Sequence, residues 1–174
     1  MEKIFWVDLE MTGLDPHESV ILEIAGVVTD LQLEPIDDIH LVVYQPDEAL
    51  AKMNDWVRKT HGESGLLELV PKGKPLAEAE REVLAFLKPH FADEAPILAG
   101  NSIHQDRKFI DRYMLDLAGY LHYRMIDVSS FKQVFRFMYD ITLEKHAPHR
   151  AYDDIIASIE ELKFYLQFVQ VPAK

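Results

Sequence analysis

Apolar residues recur along this chain with two periods, one suited to strands and one to helices. The runs Ile4-Phe5-Trp6-Val7 with Leu9, VILEIAGVV and IHLVVYQ predict three strands, at about residues 3–10, 20–28 and 39–45. Gly13-Leu14-Asp15-Pro16 separates the first two, and Pro35, Asp37 and Asp38 mark a hairpin turn before the third. Helical spacing then takes over at about residues 49–60, in a short stretch after Glu63, and over residues 75–91, the last opened by Pro75. ILAG (97–100) reads as a buried strand, 105–117 as a helix, RMID (124–127) as the last strand, and a further helix starts at Ser129 or Ser130. Over residues 151–169, Ile155, Ile159, Leu162, Leu166 and Val169 fall at spacings of four and three and form one apolar stripe.

Three strands followed by alternating helix and strand predict an α/β fold with a mixed sheet flanked by helices. At 174 residues and 48% hydrophobic content the chain can bury one full core, and no linker, repeat or low-complexity tract divides it, so a single domain is expected. The absence of cysteine excludes a disulfide framework and a thiolate metal site and suits a reducing cytoplasm. Asp8 and Glu10 interrupt the only apolar stretch near the N-terminus, so no signal segment and no membrane partner are expected.

The formal net charge of −12 disfavours a grip on long polyanions. It is unevenly spread: residues 1–100 carry 8 Lys and Arg against 20 Asp and Glu, and residues 101–150 carry 8 against 6. An acidic body with a locally basic site would repel long nucleic acid and tolerate a short oligomer. Solubility alone accounts for the acidity equally well.

The candidate chemistry starts with Asp8 and Glu10, two apart on a predicted strand, which puts both carboxylates on one face. Their apolar neighbours Ile4, Phe5, Trp6, Val7 and Leu9 predict burial, and a buried pair of like charges calls for a cation. Oxygen-only ligands select a hard ion, magnesium or manganese. Asp106 and Asp154 each fall at the start of a predicted helix, where an acid also serves simply to complement the helix dipole. His149 precedes the last helix and follows Pro148, which keeps the backbone before it extended; as a loop histidine it is either solvated or a general base. His146 and His149 form an HxxH spacing that no further ligand cluster supports as a zinc site. Tyr123, Arg124, Ser129 and Ser130 bracket a strand and a helix start in a way able to bind an anion, although Ser129 could equally be a plain N-cap.

VDLEMTG (7–13), GNSIHQD (100–106) and HRAYDD (149–154) resemble the three motifs of the DEDDh exonucleases of the ribonuclease H-like superfamily. MNDWVRKTHGESGL (53–66) and HYRMIDVSS (122–130) narrow the likeness to the branch that degrades very short RNA, and the likeness covers nearly the whole chain. The resemblance implies a ribonuclease H-like sheet, one exonuclease domain over residues 1–174, and a homodimeric 3′→5′ exoribonuclease releasing nucleoside 5′-monophosphates. It implies two divalent ions, magnesium or manganese, and no organic cofactor. Asp8, Glu10 and Asp154 would hold one ion, Asp8 would share in the second with Asp106 close by, and His149 would be the general base. It further implies that Ser102, Arg124 and Ser129 cap a 5′ phosphate, that Leu14 wedges against the bases, that Trp56 and His61 flank the scissile end, and that Tyr123 stacks on a base across a dimer interface. For Trp56 a place in the core is an equally good reading.

Two rival readings stand beside this one. An exonuclease trimming longer single-stranded tails would want a basic, aromatic-lined groove, which the charge disfavours. A silent scaffold of the same fold would have lost at least one of the five motif residues, and none is lost. The chain departs from the family pattern at His104, two positions before Asp106, and between Arg136 and His149.

Overall fold

The computed structural model describes residues 2–143 and 150–170. At its centre runs β1 (Lys3–Met11), whose alternation sends Phe5, Val7 and Leu9 into one hydrophobic core and Trp6 into a second on the other face. β2 (Ile21–Asp30) and β3 (Pro35–Val42) extend the sheet antiparallel on one side. β4 (Leu98–Gly100) and β5 (Met125–Asp127) extend it in parallel on the other, giving five strands in the order β3-β2-β1-β4-β5. This is the mixed α/β sheet that the hydrophobic pattern predicts.

Helices cover both faces. α4 (Leu76–Phe91), α5 (His104–Tyr113) and α6 (Leu115–Tyr120) bring Val83, Leu87, Phe109, Ile110 and Leu117 to the Phe5 face. α7 (Val128–Tyr139) and α8 (Ala151–Leu166) bring Val128, Ile155, Ile159 and Leu162 to the Trp6 face. Each such aliphatic side chain contributes about 1.5–3 kcal/mol by leaving water, which holds α8 firmly across the sheet. Period-two alternation puts Asp8 and Glu10 on this same face, under α8. A smaller cluster of Leu22, Met53, Val57, Leu66 and Val70 anchors α2 (Asp55–Glu63) and α3 (Leu66–Leu69).

Several expected boundaries move, each for a local reason. Pro35, Asp37 and Asp38 lie inside β3 rather than in a turn. β3 is an edge strand, where a first-position proline costs no ladder bond and exposed acids guard against further pairing. The turn is made instead by Asp30, whose carboxylate accepts the N–H groups of Gln32 and Glu34 at 2.9 Å each, with Leu33 in the left-handed region at φ 66°. The single helix expected at 49–60 is divided into α1 (Asp47–Leu50) and α2, because the Asn54 side chain caps Val57 N–H. The helix expected at 105–117 breaks at Met114 (φ −130°, ψ 66°) into α5 and α6. α8 ends at Leu166, and both Leu166 and Val169 are exposed, so the apolar stripe stops short of its predicted end. Among the described residues no helix is long and apolar enough to cross a membrane.

Candidate active site

Asp8 and Glu10 project from β1, and α8 crosses over them with Asp154 in its first turn. One carboxylate oxygen from each of the three residues lies within 4.8 Å of the others. Asp106 stands in the first turn of α5, buried, and its Oδ1 accepts the N–H of Leu9 at 3.0 Å. That bond has a topological cause. The described pairing of β1 with β4 stops at Trp6↔Ala99, and farther along β1 the Leu9 amide is met by the helix that follows β4. Gly100 permits this close turn, since a Cβ there would lie 2.9 Å from the Val7 carbonyl oxygen.

Burial first, and then the charges of Asp106, Glu10, Asp154 and Glu23, push the Asp8 carboxyl well above the ordinary range. Glu10 is raised to about 8 by burial, then by Asp154, Glu23 and Asp106, against the opposing pull of Arg150. Burial also raises Asp106, with the Leu9 hydrogen bond working the other way. Acids forced to hold protons in this way fit a cation. The donor set is all oxygen, which suits a hard divalent ion held by Asp8, Glu10 and Asp154.

His61 closes one side of this cluster from the last turn of α2. Its Nε2 donates to the Met11 carbonyl at 2.9 Å, so the proton sits there, and its buried Nδ1 faces Glu10 Oε2 at 3.8 Å with no hydrogen bond among the described residues. Trp56 is 66% exposed on the same helix, which removes the core reading for it, and Leu14 is 69% exposed on the loop after β1.

The Ser102 and Ser129 hydroxyls meet at 3.0 Å, with Ser102 at a positive φ of 51°. The backbone N–H groups here are already taken: Asp127 Oδ1 accepts the amides of Ser102 and Ser129, at 3.0 and 2.9 Å, so an anion would have to be met by a guanidinium and by the hydroxyls, which are bonded to each other and, for Ser129, to Asn101. Asp127 is also the N-cap of α7, so Ser129 is not. His104 Nδ1 lies 3.3 Å from Asp127 Oδ2, beside the serines. Arg124 lies over the Tyr123 ring at 5.1 Å, and Tyr123 stacks on His122 while remaining 71% exposed. The basic balance of residues 101–150 is smaller in effect than in count, because Arg107 is taken up by Asp111 and the His122 carbonyl, and Arg150 by Glu23. His146 and His149 lie outside the described residues, as do residues 144–148 of the atypical stretch before His149.

The Exonuclease family profile matches residues 5–162. The chain is 44% identical over 169 residues to an oligoribonuclease of Francisella tularensis subsp. tularensis (strain WY96-3418), covering 95% of both proteins. The chain belongs to the oligoribonuclease family of exonucleases. It is likewise 44% identical over 170 residues to the mitochondrial oligoribonuclease of Homo sapiens, covering 94% of this chain and 72% of that protein. Among solved structures it is similar to exonuclease I of Methylocaldum szegediense (TM-score 0.71, 17% identity) and to E. coli exonuclease I in complex with a 5cy-dA13 oligonucleotide (TM-score 0.74, 11% identity). It covers 97% and 96% of itself but spans only 41% of each of those chains, so these two report the ribonuclease H-like fold. Membership of this exonuclease family makes the chain a nuclease hydrolase.

An exonuclease of this family carries more in its site than the motif letters announce. Glu23, fully buried on β2, is the register partner of Glu10 and binds Arg150, Ala151 and His40. Its sequence signal was available, as the lone charge within the run VILEIAGVV. Asn101 has no role of its own in the sequence motifs, yet its side chain accepts from Ser129 Oγ at 3.2 Å and donates to Ser158 and Glu161 at 2.9 Å each, linking the serine pair to α8.

Proposed function

We propose that this chain is a homodimeric, cytoplasmic 3′→5′ exoribonuclease that hydrolyses RNA of two to a few nucleotides to nucleoside 5′-monophosphates, all of residues 1–174 forming one exonuclease domain. The observation that carries this reading is the convergence of Asp8, Glu10 and Asp154 in a chain 44% identical, along nearly its whole length, to an oligoribonuclease. Asp8, Glu10 and Asp154 would hold one magnesium or manganese ion, and Asp8 would share in a second near Asp106. When bound, such ions would supply electrostatic stabilisation to the phosphodiester as it is hydrolysed. His149 takes a proton from the attacking water as its oxygen bonds to phosphorus, the bond from phosphorus to the 3′ oxygen breaks, and that oxygen takes up a proton from solvent to leave as a hydroxyl.

Ser102, Ser129 and Arg124 hold the 5′ phosphate and so stop longer chains, with Asp127 fixing both serines from behind. Leu14, Trp56 and His61 pack around the 3′ nucleotide. Solvent-facing Leu14 and Trp56 suit this role better than a structural one. Dimerisation is supported by large apolar side chains each more than 70% exposed, Phe137 and Met138 on α7 and Tyr123 ahead of β5, which a second copy would cover and from which Tyr123 would reach a neighbouring base.

The test is hydrolysis of 5′-labelled RNAs of two, five and twenty nucleotides with magnesium, manganese or chelator. Metal-dependent cleavage fastest on the dinucleotide is the expected result. Preference for the twenty-mer would make the chain a tail-trimming exonuclease, and inactivity on all three would make it a scaffold.

A further inference from the structure

Glu23 has no exposure to solvent and sits beside a cluster of acids, a position that a carboxylate can hold only if donors answer it. Four do. Arg150 donates Nε at 3.1 Å and Nη2 at 2.6 Å to Oε1, Ala151 donates its amide to Oε2 at 3.2 Å, and His40 Nε2 lies 2.7 Å from Oε1. They come from β3 on one side and from the start of α8 on the other.

The contact with Ala151 changes what Glu23 is for. Helix α8 begins after Arg150, whose side chain does not cap it, so an open amide of the first turn is satisfied by a residue of the sheet. Asp154 N–H then bonds the Arg150 carbonyl at 3.0 Å, closing the turn that carries the third carboxylate of the site. Arg150 reaches further: its Nη1 donates to the Ser64 carbonyl at 3.4 Å, and Ser64 Oγ donates to the His61 carbonyl at 3.3 Å. One guanidinium thus ties together β2, the end of α2 and the start of α8, the elements that bear Glu23, His61 and Asp154.

An ion pair kept only for stability would need no such placement, and buried pairs of this kind are often replaceable by apolar residues. Here the pair spans the joint between β2 and the start of α8, whose movement would carry Asp154 away from Asp8 and Glu10. We propose that Glu23 and Arg150 are a positioning pair that sets Asp154 against Asp8 and Glu10 and thereby fixes the affinity of the carboxylate site for its divalent ion. This rests on the metal-site reading above. Glu23 itself is not a ligand, since both of its oxygens are occupied by α8.

The experiment is calorimetric titration of manganese into the unmodified protein, Glu23→Gln and Arg150→Lys, followed by dinucleotide hydrolysis across manganese concentration. Residues that orient metal ligands typically affect metal affinity by about 10- to 100-fold, and Glu23→Gln should lose manganese affinity on that scale. The manganese concentration for half-maximal rate should rise in parallel, while KM for the dinucleotide at saturating manganese stays within about threefold, because no substrate contact is removed. Arg150→Lys keeps both charges but not the forked geometry, so weakened binding in that variant reports placement rather than field. It also carries the test if Glu23→Gln does not fold. Manganese affinity within about twofold of the unmodified protein in both variants, with only the melting temperature lowered, would overturn the proposal and leave a simple stabilising pair. If the unmodified protein binds manganese but cleaves no short RNA, the functional reading fails while these affinities still decide the positioning role.

Discussion

Glu10 and Glu23 face each other as register partners on β1 and β2, yet their carboxyls are held on opposite sides of the ordinary range. Glu10 is pushed up to about 8, chiefly by burial and then by Asp154. Burial acts on Glu23 too, but hydrogen bonds from His40, Arg150 and the Ala151 amide outweigh it and hold that carboxyl at about 2. One strand pair therefore separates an acid in which burial and like charges outweigh Arg150 from one whose donors outweigh its burial. Only the first is suited to receive a cation.

This difference gives the metal-free protein a definite pH response. From the ordinary value of 4.5 up to about 8, folded Glu10 retains a proton that the unfolded chain releases, so its contribution to stability is lost as pH rises through that window. Glu23 behaves oppositely: its contribution is present above 4.5 and is lost as pH falls towards about 2. In chelator, the melting temperature should fall between about pH 5 and 8, and Glu10→Gln should flatten the fall. A melting temperature rising over that range, and indifferent to Glu10→Gln, would contradict the assignment.

Asp8→Ala, Glu10→Ala and Asp154→Ala should each nearly abolish hydrolysis while leaving metal-free stability unchanged or raised, because each relieves repulsion within the cluster. Asp106 should differ. Its carboxylate also satisfies the Leu9 amide, so Asp106→Ala leaves a buried N–H without a partner, at about 1–3 kcal/mol, whereas Asp106→Asn keeps an acceptor there. Thermal melts of the two variants in chelator should separate them, with both inactive. Equal melting temperatures would remove Asp106 from this structural role.

His149→Ala should lower kcat by about 10² to 10⁴ with manganese affinity little changed, the expected effect of losing a general base rather than a ligand. Rates measured from pH 6 to 9 provide the check. A variant that kept the full rate throughout would exclude His149 from the mechanism.

The parts of this site legible in the sequence are those that short-range geometry encodes. Asp8 and Glu10 share a face because strands alternate, and Asp106 and Asp154 fall in first helical turns because capping and dipole preferences mark those starts. What escaped was set by long-range contact. Nothing local says that Glu23 caps a helix starting 128 residues later, or that Asp127 rather than Ser129 opens α7. The misplaced hairpin has the same origin: Pro35, Asp37 and Asp38 resemble a turn unless one knows that their strand lies at the sheet edge.

The last prediction concerns how a chain of net charge −12 works on RNA, and it follows from the small number of phosphates engaged. A dinucleotide with a 5′ phosphate offers two, so at about 0.7 per phosphate, log K should fall by roughly 1.4 per decade of salt at most. With the amides of Ser102 and Ser129 bonded to Asp127, the proposed 5′ phosphate site would rely on their hydroxyls and on Arg124. Arg124→Ala should therefore weaken dinucleotide binding by about tenfold to hundredfold, the scale of a charge-assisted contact, and reduce the preference for dinucleotide over twenty-mer. If Tyr123 acts on a base bound by a second copy, as proposed, Tyr123→Ala should weaken binding only where two copies associate, whereas Arg124→Ala should weaken it at every protein concentration. The measurement is affinity for both lengths in calcium, across a tenfold range of salt and a hundredfold range of protein concentration, with the oligomeric state determined at each end. A slope near that of six or more phosphates, or an Arg124→Ala variant with undiminished length discrimination, would refute the capped-phosphate reading and favour an enzyme that trims long tails.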